Sequence, residues 1–245
     1  MLSNLQYRLL RWAYPTDPER LSGEAYRNRN KLTVLLGEDI FQRIQGKTVV
    51  DFGCGYGEQT VEIARSGAAQ TTGVDVRQEV LDIAREKSVG VGNVSFTTPE
   101  QCPQGSADFV ISLDSFEHFD GPGKELKQMS DLLKPGGTLL ASFGPPWKHP
   151  WGGHSFSVFL WSHLLLSESA LCRWYNETHG QKVSRFEEVS GGLNRLTVAG
   201  FEALVRSSAF REVSINPVPI GRLKRFHNAL TREYFTSVVK CELRK

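Results

Sequence analysis

The sequence has almost no excess of either charge: 29 Lys and Arg stand against 27 Asp and Glu, a net charge of +2. That balance gives no support to a strong nucleic-acid or membrane-directed field. The tight basic cluster Arg222-Leu223-Lys224-Arg225 is too short for an RNA-binding face, which needs a basic surface with interleaved aromatics. Cysteine is scarce. Cys54, Cys102, Cys172 and Cys241 are scattered with no C-x-x-C pair, which speaks against a disulfide framework or a metal site and for reduced thiols. Long hydrophobic runs are missing too. Val158 to Leu166 is broken by Ser162 and His163, well short of the ~20 apolar residues of a membrane span. Met1 to Arg20 lacks the apolar core, about 7–15 residues long, of a signal peptide. The expectation is a cytoplasmic protein without a membrane span.

What is there reads as one α/β domain with decoration. The chain has 245 residues, 40% hydrophobic and 23% charged, close to ordinary globular usage. Residues 1–45 read as helical, with Leu32, Leu35, Leu36 and Ile40 spaced for one face. From Thr48 the pattern alternates. Strands are predicted at Thr48–Val50, Thr71–Asp75, Val94–Phe96, Ala107–Leu113 and Thr138–Phe143. Helices are predicted at Glu58–Ser66, Arg77–Lys87 and Lys124–Leu133, the last stopped by Pro135-Gly136-Gly137. Such alternation predicts a Rossmann-like, doubly wound, mostly parallel sheet with helices on both faces. Thr197–Ser208 reads as a further helix, and Val213–Ile215 and Ser237–Leu243 as two closing strands, one of them antiparallel. The division predicted is a helical lid over 1–45 and a domain over 46–245. Within that domain, residues 144–192, rich in Trp, His, Pro and Gly, form an insertion on the substrate side.

The sharpest signal is Asp51-Phe52-Gly53-Cys54-Gly55-Tyr56-Gly57, between a strand and a helix. Glycines at alternate positions let the backbone turn tightly and let a ligand lie against bare N–H groups, with the positive end of the next helix behind them. Asp75 ends the following strand 18 positions beyond Gly57, where an acid can accept hydrogen bonds from two ribose hydroxyls. The spacing is G-x-G-x-G, and Glu58 stands where a dinucleotide loop has its third glycine. The loop therefore suits a nucleoside with a zwitterionic amino-acid tail better than NAD.

These features resemble the class I S-adenosylmethionine-dependent methyltransferases. Val49 to Gly57 is similar to that family's first motif, and Gly73-Val74-Asp75 to its ribose-binding acid. Ala107 to Ser112 with Phe116-Glu117-His118 is similar to its fourth-strand motif, and Leu132 to Leu139 to its fifth-strand entry. The resemblance implies a seven-stranded sheet and S-adenosyl-L-methionine as cofactor. It implies that Asp51, Gly53, Cys54, Gly55 and Gly57 belong to the site of the methionine part and that Asp75 holds the ribose. Val76 would pack on the adenine, and the backbone around Leu113 and Asp114 would receive the ammonium group. Glu100 is the candidate for the adenine amino group, displaced from the family's usual position. The stretch Tyr26-Arg27-Asn28-Arg29-Asn30 reads either as a solvated helix face or as a lid in which Tyr26 or an Arg covers the cofactor carboxylate.

Methyl transfer to oxygen needs alignment and a proton acceptor. Two segments reach the carboxyl end of the predicted sheet: Asp114 to Phe119, and Gly144 to Ser155 with its paired Trp and His. Trp147 and Trp151 are expected to wall a flat apolar pocket, and His154 or His149 to act as base, His154 first because Gly152 and Gly153 flank it. His118 reads as a structural residue more than as a base; His163, His179 and His227 receive no role. No grouped Asp and His spacing suggests an essential Mg²⁺ site, so activity is expected to survive EDTA. A small-molecule methyltransferase acting on oxygen of a sugar, polyketide or phenol, with no nucleic-acid partner, is the first reading. An RNA or protein methyltransferase is the second, and a methyltransferase-like binding protein without chemistry the third.

Overall fold

The computed structural model describes residues 2–16, 29–189 and 191–245. One seven-stranded sheet runs through it, in the order β3-β2-β1-β4-β5-β7-β6. The strands are β1 (Thr48–Phe52), β2 (Gln70–Val74), β3 (Val94–Thr97), β4 (Ala107–Leu113), β5 (Leu133–Phe143), β6 (Arg211–Pro219) and β7 (Thr236–Arg244). β1 to β5 are parallel, and β7 enters antiparallel between β5 and β6. The order reverses at β1, so the crevice beyond the carboxyl ends of β1 and β4 is where a ligand binds in such sheets.

The described helices are α1 (Leu2–Ala13), α2 (Lys31–Leu36), α3 (Ile40–Arg43), α4 (Glu58–Arg65), α5 (Gln78–Lys87), α6 (Pro122–Leu132), α7 (Ser162–Leu165), α8 (Glu168–His179), α9 (Val198–Ser207) and α10 (Arg232–Phe235). None is long and apolar enough to cross a membrane. On one sheet face Leu126, Met129 and Leu132 of α6 and Phe201 and Val205 of α9 bury against Val50, Val110, Leu139 and Val239. On the other, Leu32, Leu35 and Ile40 join Ile63 against Val49, Ile111 and Leu140. The 3.6-residue spacing of these apolar positions is the reason each helix presents one face to the sheet.

Two stretches depart from the sequence reading. Pro135-Gly136-Gly137 does not separate α6 from β5: the strand starts at Leu133, opposite Ala107, with an irregular register at this point. Gly136, at φ 76°, donates its N–H to the Lys245 carbonyl at 3.1 Å, so Lys245 continues the ladder that the turn would have broken. The insertion holds a helix, α8, that its Trp, His, Pro and Gly content obscured. Ala170, Leu171 and Trp174 of α8 are buried, Leu171 and Trp174 among Phe156, Val158, Val183 and Phe186. Leu10 of α1 completes this second core, so α1 rides on the insertion while α2 and α3 pack on the sheet.

Candidate active site

The site starts from the turn between β1 and α4. Gly53, Gly55 and Gly57 take φ values of 83°, 53° and 77°, a region that side-chain-bearing residues adopt at a cost. Gly53 and Cys54 both donate their N–H to the Val74 carbonyl, at 2.8 and 3.0 Å, which ties the turn to β2. A Cβ on Gly53 would collide with Ser115 Oγ, and one on Gly57 with the Phe96 ring and Ala84. A Cβ on Gly55 would meet nothing within 4 Å. Gly53 and Gly57 are therefore packing glycines, and Gly55 is the one whose bare backbone faces open space.

Asp75, 7% exposed, stands beside that opening. Its Oδ2 accepts the Gly55 N–H at 3.1 Å and the Arg77 Nη2–H at 3.1 Å; its Oδ1 accepts the Arg77 backbone and Nε donors, both at 3.0 Å. Burial alone would raise its pKa, but the Arg77 guanidinium and these N–H groups more than offset it and hold the carboxyl below its usual range. Asp51 is buried deeper and accepts from Thr60 Oγ1 at 2.6 Å. Burial pushes it up to about 6, against the Thr60 hydrogen bond and the charge of Lys31.

A second group of residues gathers where β4 and β5 end. Asp114, at φ 52°, donates its N–H to the Ser142 carbonyl at 2.8 Å, and its Oδ2 pairs with Lys31 Nζ of α2 at 2.8 Å. Glu117, 3% exposed, accepts the Gly144 N–H on Oε1 at 2.9 Å, while its Oε2 is buried without a hydrogen-bond partner. Burial first, and the nearby Asp114 second, push Glu117 up to about 8. Its carboxyl is thus mostly protonated at neutral pH, a state that asks little of a dry surrounding.

The insertion returns to this turn at both ends. Gly144 begins it on the Glu117 carboxyl. At the other end His118 Nδ1 lies 2.8 Å from the Gly192 carbonyl, and the Asn194 N–H donates to the Glu117 carbonyl at 3.0 Å. Asn194 Nδ2 donates to the carbonyls of Phe116 and Phe119 at 2.6 and 2.7 Å. His154, from the middle of the loop, meets His118 edge to face, ring centroids 5.2 Å apart.

The structure thus brings Asp51, Gly53, Cys54, Gly55, Gly57 and Asp75 to one turn, and Leu113, Asp114 and His154 to the neighbouring strand ends. Val76 is 73% exposed beside Asp75, and Glu100 is exposed on the turn Pro99–Gln101 after β3. Tyr26 lies outside the described residues. Cys54 is buried against Leu81, Ala84 and Phe96, and burial raises its thiol pKa steeply, as befits a small packing residue. Three features of the loop differ from the sequence reading. Trp147 is turned into the insertion's own core, its ring 4.7 Å from His163 and 5.5 Å from Phe186, so it does not wall an open pocket. Gly152 and Gly153 serve close packing inside the loop rather than the approach of His154: a Cβ would strike the Trp147 carbonyl at one and the His163 side chain at the other. His149 accepts the Trp151 N–H on Nδ1 at 3.0 Å, so the one nitrogen that could take a proton is engaged. Lys31, Arg77, Glu117 and Asn194 were not singled out from the sequence. The Glu117-His118 pair stood in a recognised motif, but nothing in its spacing says that the insertion closes on it.

The site so described is an open glycine turn with a buried acid beside the strand ends on which the insertion closes. The profile of a methyltransferase domain family matches residues 21–183. The chain belongs to the S-adenosylmethionine-dependent methyltransferases. A ubiquinone biosynthesis O-methyltransferase of Shewanella halifaxensis is 34% identical over 121 residues, 47% of this chain and 51% of that protein. A ribosomal protein L11 methyltransferase of Burkholderia mallei is 32% identical over 113 residues, 45% of this chain and 36% of that protein. The chain spans about half or less of the length of these curated relatives. An S-adenosylmethionine-dependent methyltransferase from Mesorhizobium loti superposes with a TM-score of 0.56 at 15% identity, over 82% of this chain and 92% of that one, a likeness of fold.

Proposed function

We propose that this protein transfers the methyl group of S-adenosylmethionine to an oxygen atom of a small molecule of sugar, polyketide or phenol type. The observation that carries the reading is the closure of the insertion, at Gly144, His154 and Gly192, over the turn that follows β4. An acceptor side covered by the chain's own insertion would suit a small acceptor better than a folded partner.

The residues of the turn fit the cofactor. Gly55 leaves room where any side chain would intrude, and Asp75 offers a buried carboxylate whose ion-pair partner Arg77 is half exposed. Asp75 would then hold the ribose hydroxyls, Val76 and Glu100 the adenine, and the backbone at Leu113 and Asp114 the ammonium group. The cofactor, when bound, supplies an electrophilic methyl carbon and a neutral thioether as leaving group. The chain's contribution is alignment, exclusion of water and removal of the acceptor proton. That last task falls, in this reading, to the histidines over the turn. His154 is the post-β5 histidine that arrives there, against His118 of the turn itself, whereas His149 braces its own loop. Residues 1–45 would serve as a helical lid to a domain over 46–245 with its insertion at 144–192, Lys31 reaching Asp114 from α2 and α1 lying on α8.

The test is tritium transfer from methyl-labelled cofactor to a panel of phenols and sugars, with ribosomal protein L11 and RNA as further arms. Label on a hydroxyl acceptor supports the reading; label on L11 or RNA alone rejects it.

A further inference from the structure

The turn Phe116–His118 is the hub of the acceptor side, since Gly144, His154, Gly192 and Asn194 all converge on it. The protonation state of His118 follows from one of these contacts. A carbonyl oxygen can only accept, so the 2.8 Å contact to Gly192 makes His118 Nδ1 the donor. Nε2 is then the accepting nitrogen of the uncharged ring. A backbone carbonyl that fixes the tautomer of an imidazole is how a histidine is set to receive a proton on its far nitrogen. His118 is half-buried, whereas His154 Nε2 is shut off from solvent. His149 and His163 have their accepting nitrogens engaged, by the Trp151 N–H and by the Ser157 hydroxyl.

We infer that His118 Nε2 takes the proton of the acceptor hydroxyl and that His154 is its positioning neighbour. As the acceptor oxygen bonds to the methyl carbon, the O–H proton passes to Nε2. The carbon–sulfur electron pair stays with sulfur, and the imidazolium retains its Nδ1–H on the Gly192 carbonyl. His154 is suited to the second role. Burial first, and the charge of His118 second, hold its pKa down at about 4, so it stays neutral while its neighbour becomes a cation. The inference rests on the reading of oxygen methylation, and its first test does not.

Nitrogen-15 NMR of histidine-labelled protein at alkaline pH reads the tautomer directly, without substrate. The expected result is a protonated Nδ1 and a bare Nε2 at His118, the assignment being made by loss of those signals in His118→Asn. A protonated Nε2 would overturn the inference. Asn can keep the bond to Gly192 through its amide N–H while removing the accepting nitrogen, so H118N is expected to retain its melting temperature and cofactor affinity. With catechol as probe acceptor, kcat should fall by ~10²–10⁴-fold at little change in KM. A folded H118N with the parent's kcat would overturn the inference and leave oxygen methylation standing. A parent that labels no hydroxyl acceptor would instead count against the reading of the reaction, with the tautomer measured independently.

Discussion

At the scale of single residues, the site is a set of side chains whose charge is decided by their surroundings. Asp75 is kept ionised by Arg77 and the Gly55 N–H, the state in which it would accept ribose hydroxyls under the proposed function. Asp75→Ala is expected to weaken S-adenosylmethionine binding by about 1–3 kcal/mol, the range for stranding hydrogen-bonding partners, as read by calorimetry. An unchanged affinity would remove Asp75 from the ribose site. Glu117 is the opposite case, a carboxyl held neutral by burial at the start of the insertion. Glu117→Gln keeps an oxygen for the Gly144 N–H, so it should fold with the loop in place.

At the scale of elements, hydrogen bonds tie both ends of the insertion to the turn after β4. Asn194 makes three hydrogen bonds to the Phe116–Phe119 turn, through its backbone N–H and twice through Nδ2. Asn194→Ala is expected to cost about 1–3 kcal/mol in urea denaturation and to lower kcat while sparing cofactor affinity. Equal stability and kcat would mean that the insertion is held elsewhere. This is also the scale at which sequence reading reached its limit. The alternation from Thr48 to Phe143 was legible because each strand is a short apolar run and each helix carries a 3.6-residue stripe. The glycine turn was legible because its φ values demand glycine. α8 was not, because the apolar residues that define it bury against Phe156 and Phe186 of the same insertion rather than against the sheet. Nor were the contacts of Glu117 and His118, since those are made to Gly144 and Gly192, partners far along the chain.

For the whole molecule, the buried ionisable groups set how stability varies with pH. His149 and His154 are pushed down from 6.5 to about 4 by burial, so the unfolded chain binds protons there that the folded one refuses. Lowering the pH from 6.5 to 4 therefore works against folding through them. Glu117 is raised from 4.5 to about 8 and Asp51 from 3.8 to about 6, so the folded chain keeps protons that the unfolded one has released. Raising the pH works against folding through Asp51 up to about 6 and through Glu117 up to about 8. Between pH 6.5 and 8 the charge difference rests mainly on Glu117. Glu117 alone removes about 1.5 kcal/mol of unfolding free energy over that window, and the last protons leaving His149 and His154 of the unfolded chain restore about half of it, so the parent is expected to lose about 1 kcal/mol and Glu117→Gln to gain slightly. Parallel curves for the two proteins would contradict the burial argument.

The central claim is that the turn between β1 and α4 binds S-adenosylmethionine, and calorimetric titration of the cofactor into the parent and into Gly55→Val tests it most directly. The parent should bind one equivalent with saturable heat. Gly55→Val, its fold checked by circular dichroism, should show none, because a branched side chain would fill the space that the bare backbone leaves open. A folded Gly55→Val that binds with the parent's affinity, or a parent that shows no binding heat at several temperatures, would contradict the account.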